Sequence, residues 1–133
     1  DSYNFMKNVL NQLPNKKKVT VINPPGEMES FNIVNTETHD ETLKVLSNNE
    51  IYFHASEHET VGLPLYEAQN LGLKVVAPIS SYTQYFSPES VFLYNINDQD
   101  DALKKLDDAK SSSIEKIETL NYSENWKIVL DNI

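Results

Sequence analysis

Apolar positions along the chain recur with two periods, and the switches between them mark out the elements. Tyr3, Phe5, Met6, Val9, Leu10 and Leu13 fall at helical spacing, and Pro14 stops that pattern. Residues 19–23 form a short apolar run of strand type, entered from Lys16, Lys17 and Lys18. Pro24, Pro25 and Gly26 make a turn, and residues 31–35 read as a second short strand. Only residues 24–30 lie between the two strands. A parallel crossover usually takes a dozen residues or more. The spacing therefore predicts an antiparallel pair, or a single genuine strand. Residues 36–49 hold a helix with Thr38 or Asp40 as its cap and Glu41 in its first turn. Its apolar face is Leu43, Val45 and Leu46.

The middle of the chain, residues 51–77, reads strand, loop, helix, strand: IYFHASEHETVGLPLYEAQNLGLKVVA. Ile51, Tyr52 and Phe53 are strand formers, and residues 54–61 read as a polar loop. Gly62 and Pro64 open a helix, because proline fits the first helical position, where its absent N–H costs nothing. Leu65, Ala68 and Leu71 have helical spacing, and Gly72 closes the helix in the left-handed turn that glycine tolerates best. Residues 73–77 are an apolar run of buried-strand type.

Beyond this unit, residues 78–81 form a loop, residues 82–86 a short helix and residues 91–94 another strand. Ser80, Ser81, Tyr82 and Thr83 follow the exit of a core strand, where open α/β sheets place their ligand crevice; they read either as pocket rim or as an ordinary polar loop. Asn97 and Asp98 introduce a helix with Ala102, Leu103 and Leu106 inward. Residues 111–120 read as a separate helix through Ile114, Ile117 and Leu120. A last helix is predicted to carry Trp126, Ile128, Val129 and Ile133, with Trp126 packed on the core.

A length of 133 residues suits one domain, residues 1–133, with one core. Eleven basic residues against twenty acidic ones leave a charge of −9, which argues against a general nucleic-acid surface. Every basic residue is lysine, so planar arginine clamps on phosphate are impossible within the chain. With no cysteine, disulfides and thiolate metal sites are excluded, and the composition fits a cytoplasmic setting. No apolar run approaches the length of a membrane span. Three consecutive lysines, Lys16 to Lys18, are too few for stable membrane attachment.

Chemistry concentrates at the start of the middle helix. Unsatisfied N–H groups there form an anion site reinforced by the helix dipole. Glu59 and Glu67 bracket it. Acidic side chains beside such a site repel phosphate but accept hydrogen bonds from hydroxyls, so a ligand carrying both, a nucleotide sugar, would use both features. The bland reading makes Glu67 a dipole partner and Glu59 a solvated loop residue. His54, Glu57 and His58 match H-x-x-E-H, but that zinc pattern needs both histidines on one helical face. Here they sit at a strand end and in a loop, with His39 the sole further candidate, so no metal site is expected. Ser56 lacks the glycine-flanked turn of a hydrolase nucleophile, and no G-x-G-x-x-G is present.

The run E-T-V-G-L-P-L-Y-E-A, residues 59–68, resembles the donor-site signature of retaining glycosyltransferases of the GT-B fold. That signature has two glutamates seven residues apart with glycine, an apolar residue and proline between them. The flanking strands, the S-Y-T-Q-Y-F run and the stretch V-F-L-Y-N-I-N-D-Q-D-D-A-L-K-K-L are also similar to that family, over residues 40–110. The resemblance implies a three-layer α/β/α Rossmann-like domain with a mainly parallel sheet, the C-terminal half of the GT-B fold. It implies transfer of a sugar, with retention, from a nucleotide-diphosphate sugar. Glu59 would contact the donor sugar at the catalytic centre and Glu67 the ribose hydroxyls. The backbone of Thr60, Val61, Gly62 and Leu63 would hold the diphosphate without an obligatory metal or other cofactor. It also implies an N-terminal acceptor-binding domain outside this chain, and it leaves open peripheral association of the full enzyme with the inner face of a membrane. The family's basic pair has no counterpart here, and the chain opens on a helix, so a fragment inactive alone is expected. The family has a helix between the first two strands, where this chain has only residues 24–30; that departure touches the base-binding side of the pocket. The alternatives are a non-catalytic nucleotide or sugar-phosphate binding module and a protein-interaction domain of the same fold.

Overall fold

A computed structural model describes residues 2–26, 28, 30–55, 63–80, 83, 91–120 and 128–131, with the backbone alone for residues 2, 63, 113–120 and 128–131. Helix α1 spans Ser2–Leu10, followed by a 3-10 turn, Lys16–Lys18, and strand β1, Val19–Ile22. Next come β2 (Asn32–Val34), α2 (His39–Ser47), β3 (Ile51–His54), α3 (Leu63–Asn70), β4 (Lys74–Pro78), β5 (Val91–Tyr94), α4 (Gln99–Leu120) and β6 (Ile128–Asp131). The strands form one sheet in the order β2-β1-β6-β3-β4-β5, with every pairing parallel. The protein is an α/β fold.

Alternation along the strands sends side chains into two separate apolar clusters. Val19 and Val21 of β1, Ile51 and Phe53 of β3 and Val76 of β4 join Met6, Val9 and Leu10 of α1 and Ala102, Leu106 and Ala109 of α4. Ile22, Tyr52, Val75 and Ala77, their sequence neighbours, join Leu46 of α2 and Leu65 and Ala68 of α3. Period-two geometry puts such neighbours on opposite faces of a strand, so the two clusters occupy opposite faces of the sheet. Burial on both faces explains why β1, β3 and β4 are mainly apolar and buried at every position, Thr20, His54 and Lys74 being their polar members.

Two connections depart from the sequence expectation. β1 and β2 pair in parallel, Thr20 opposite Asn32 and Ile22 opposite Val34, so the expected antiparallel pairing is overturned, although both strands exist. Because β2 has only three residues, the chain need retrace only about 10 Å, within reach of residues 23–31 in extended form. Met28 and Phe31, 6% and 8% exposed, enter the α1–α4 cluster from this connection. Those two side chains cover core that a crossover helix would otherwise cover.

At the other end of the chain, the expected terminal helix is a strand. β6 pairs with β1 through Val19–Ile128 and with β3 through Ile51–Ile128, and lies in the middle of the sheet. The run Ile128-Val129-Leu130 is too short for periodicity to separate helix from strand, and its β-branched residues favour the latter once partners flank both edges. Trp126 and Ile133 lie outside the described residues. The two helices expected over residues 97–120 are one continuous helix, α4. The serines at 111–113 do not interrupt it, since serine lowers helix propensity only modestly.

Candidate functional site

With all strands parallel, the helices that follow β2, β3 and β5 start at the same edge of the sheet, beyond the strand C-termini. This edge is where open α/β sheets bind ligands. All three helix starts are described in part or whole. At α4, the Asp98 carboxylate accepts from Asp101 N–H at 3.0 Å, and the Asp101 carboxylate accepts from Asn95 N–H at 2.8 Å. At α2, the Thr38 hydroxyl accepts from Glu41 N–H at 3.1 Å, and the Glu41 carboxylate accepts from Glu37 N–H at 2.8 Å. One N–H of this helix end is thus satisfied by the cap, and Glu41 reaches back past the cap residue to Glu37, a variant of the capping box. Acidic Glu37, Asp40 and Glu41 crowd it further, so it is a poor phosphate cradle. Beside it, Asn23, with φ of 48°, donates through Nδ2 to the Thr36 hydroxyl at 3.0 Å. Its Oδ1 accepts from Thr36 N–H at 2.9 Å, which ties the ends of β1 and β2 together.

Helix α3 begins at Leu63, which makes Pro64 its second residue rather than its first. Glu59, Thr60, Val61 and Gly62 lie outside the described residues, as do Glu57 and His58. Leu63 contributes described backbone only. Glu67 is described: it sits one turn into α3, half-buried, and its Oε2 lies 2.5 Å from Nε2 of His39, the first residue of α2. The partner of Glu67 is a residue that the sequence offered only as a metal ligand. Nothing local in the sequence could have found it, since the pairing depends on how α2 and α3 pack against each other.

The remaining candidates have structural roles. His54 belongs to β3, not to the polar loop expected there, and is fully buried. Its Nδ1 lies 3.1 Å from the Tyr52 hydroxyl, and its carbonyl accepts from the Tyr94 hydroxyl at 2.9 Å. Burial pushes its pKa down to about 4, so the ring is neutral at physiological pH. Among the described residues, no group of three or more His, Cys, Asp or Glu is placed to hold a metal ion. The Thr83 hydroxyl accepts from Ser80 N–H at 2.8 Å and donates to the Pro78 carbonyl at 2.9 Å. At 1% exposure, Thr83 closes the exit of β4 rather than lining a rim. Ser81 and Tyr82 fall outside the described residues.

Away from this edge, Glu50 precedes β3 at the opposite end of the sheet. Desolvation raises its pKa to about 7, partly opposed by the Lys18 ammonium. A groove of about 290 Å³ between the end of α1 and α4 is lined by Leu13, Pro14, Leu103 and Leu106, with Asp107 and Lys110 at its margin. It shares no residue with the helix starts that carry the candidate chemistry. No described helix is long and apolar enough to cross a membrane. Comparison of the chain with protein-family models, with curated proteins and with solved structures finds no match.

Proposed function

We propose that this chain is the donor-binding half of a retaining glycosyltransferase of the GT-B type, a three-layer Rossmann-like domain that binds a nucleotide-diphosphate sugar. The observation that carries the reading is the position of Glu67: a half-buried carboxylate one turn into the helix that leaves the C-terminal end of a core strand, on an all-parallel sheet. The run from Glu59 to Glu67 supplies the spacing. In this reading Glu67 accepts from the ribose hydroxyls and Glu59 from the donor sugar. Main-chain N–H groups of residues 60–63 hold the diphosphate. Negative charge builds on the departing nucleoside diphosphate during transfer, and fixed N–H donors aimed at it lower that barrier. The acceptor would bind a second domain, and the chain alone would transfer no sugar.

Calorimetric titration with UDP, GDP, ADP and their hexose conjugates tests the reading. At least one should bind, and Glu67→Ala should weaken it by about tenfold, the loss of one charge-assisted hydrogen bond. The His39–Glu67 pair gives the protein-interaction reading an observation of its own, because a carboxylate already engaged can serve simply to join two helices. Absence of binding by every nucleotide would favour that alternative.

A further inference from the structure

Resting on the donor-site reading, we infer that His39 is a positioning residue for Glu67 and sets how strongly the site distinguishes ribose from 2′-deoxyribose. Glu67 stands on α3 and His39 on the first position of α2, so their 2.5 Å contact spans two helices. A lone glutamate on a helix surface samples several rotamers, and ordering it on ligand arrival costs binding free energy. A donor on Oε2 restricts those rotamers beforehand. An ionised carboxylate offers about four lone-pair sites, and one N–H bond takes a single one. Both oxygens therefore keep capacity to accept from the adjacent hydroxyls of a ribose.

The backbone of α2 cannot drift from its place to break the contact. Thr38 and Glu41 lock its first turn, and Leu46 anchors its far end in the core. The His39 ring is 65% exposed, so it does little for packing, and its removal leaves the fold intact. An imidazole in this position therefore acts on ligand binding through Glu67 rather than on stability.

The test uses the full chain and calorimetric titration with UDP, GDP, ADP and their 2′-deoxy counterparts. Native protein should favour the ribonucleotide. His39→Ala should lose about threefold to fivefold in affinity for it, the range of an exposed ion pair, and less for the deoxy form, which keeps a single hydroxyl for Glu67. His39→Gln, which keeps an N–H donor at similar reach, should recover most of the loss. A structural role alone would change both nucleotides equally. Ribonucleotide preference undiminished in His39→Ala would overturn the inference and leave the donor site standing. Failure of the native chain to bind any nucleotide would overturn both.

Discussion

The Tyr52 hydroxyl and His54 Nδ1 meet at 3.1 Å on one face of β3, two residues apart, with both side chains fully buried. An imidazole in such a place is held neutral, and protonating it means placing a charge inside the core. In the unfolded chain the same ring takes up a proton near pH 6.5, and in the folded protein near pH 4. Between those values the unfolded state binds more protons, so His54's contribution to stability is complete above pH 6.5 and is lost as the pH falls toward 4. The whole effect is on the order of 3 kcal/mol for a shift of this size. Urea unfolding of native protein and His54→Leu at several pH values should show the difference between them changing across that window and flat above it. A difference constant with pH would mean that the ring takes up its proton in the fold as readily as in the unfolded chain, and that burial does not hold it neutral.

Glu50 works in the opposite direction. Its carboxyl holds its proton up to about pH 7 in the folded protein but only to 4.5 in the unfolded chain. Its contribution is therefore complete below 4.5 and is lost as the pH rises through 7. One carboxylate oxygen is buried with no hydrogen-bond partner among the described residues, so ionisation is unsupported there. Glu50→Gln should gain stability relative to native protein at pH 8 and show little gain at pH 4.5. Because Glu50 and His54 oppose each other between pH 4.5 and 6.5, the native curve should be flatter there than that of either variant.

At the end of α3, Gly72 has φ of 87°. Its N–H donates to Gln69 O at 3.0 Å and the Leu73 N–H to Ala68 O at 3.0 Å, the paired bonds of a Schellman ending. A methyl group added at Gly72 would meet nothing within 4 Å, so only the backbone opposes it. Gly72→Ala should cost about 1 kcal/mol from left-handed strain alone. A loss several times larger would require a clash that the surroundings do not contain.

Features set by neighbours in sequence were legible from sequence. The Gly72 turn, the Thr38 cap with Glu41 and the apolar runs of β1, β3 and β4 are all local, and all formed as expected. Features set by distant partners were not. Ile128-Val129-Leu130 becomes a strand because β1 and β3 offer it two edges more than seventy residues upstream. His54 looks like the start of a polar loop until Tyr52 and Tyr94 enclose it. The pairing of Glu67 with His39 could not be read either, since that contact exists only once α2 packs beside α3.

The connection from β1 to β2 offers a separate test of how the fold manages without a helix there. Met28 and Phe31 are its only described residues in the α1–α4 cluster. If they supply the cover over β1, shortening them should be as costly as a cut in the core proper. Phe31→Ala is expected to lose about 3 kcal/mol and Met28→Ala about 2 kcal/mol, typical for buried positions. Pro25→Ala, at an exposed position on the same connection, should stay within about 0.5 kcal/mol of native.

The last strand in sequence occupies the middle of the sheet, and this has a consequence for folding. Without β6, the β2-β1 pair and the β3-β4-β5 set share no strand-to-strand hydrogen bond, because β6 alone bridges β1 and β3. A two-stranded sheet is marginal in water, and its core face would lose the neighbour that shields it. A chain cut after Leu120 keeps α1 to α4 and five of the six strands, yet should lose cooperative unfolding and bind the dye ANS through exposed apolar surface. Adding residues 121–133 back as a separate peptide should restore a sigmoidal melt, since β6 enters as an inserted strand whose main-chain bonds form on both edges. Were the segment a helix lying outside the sheet, the shortened chain would keep a single sharp transition, displaced by only a few degrees.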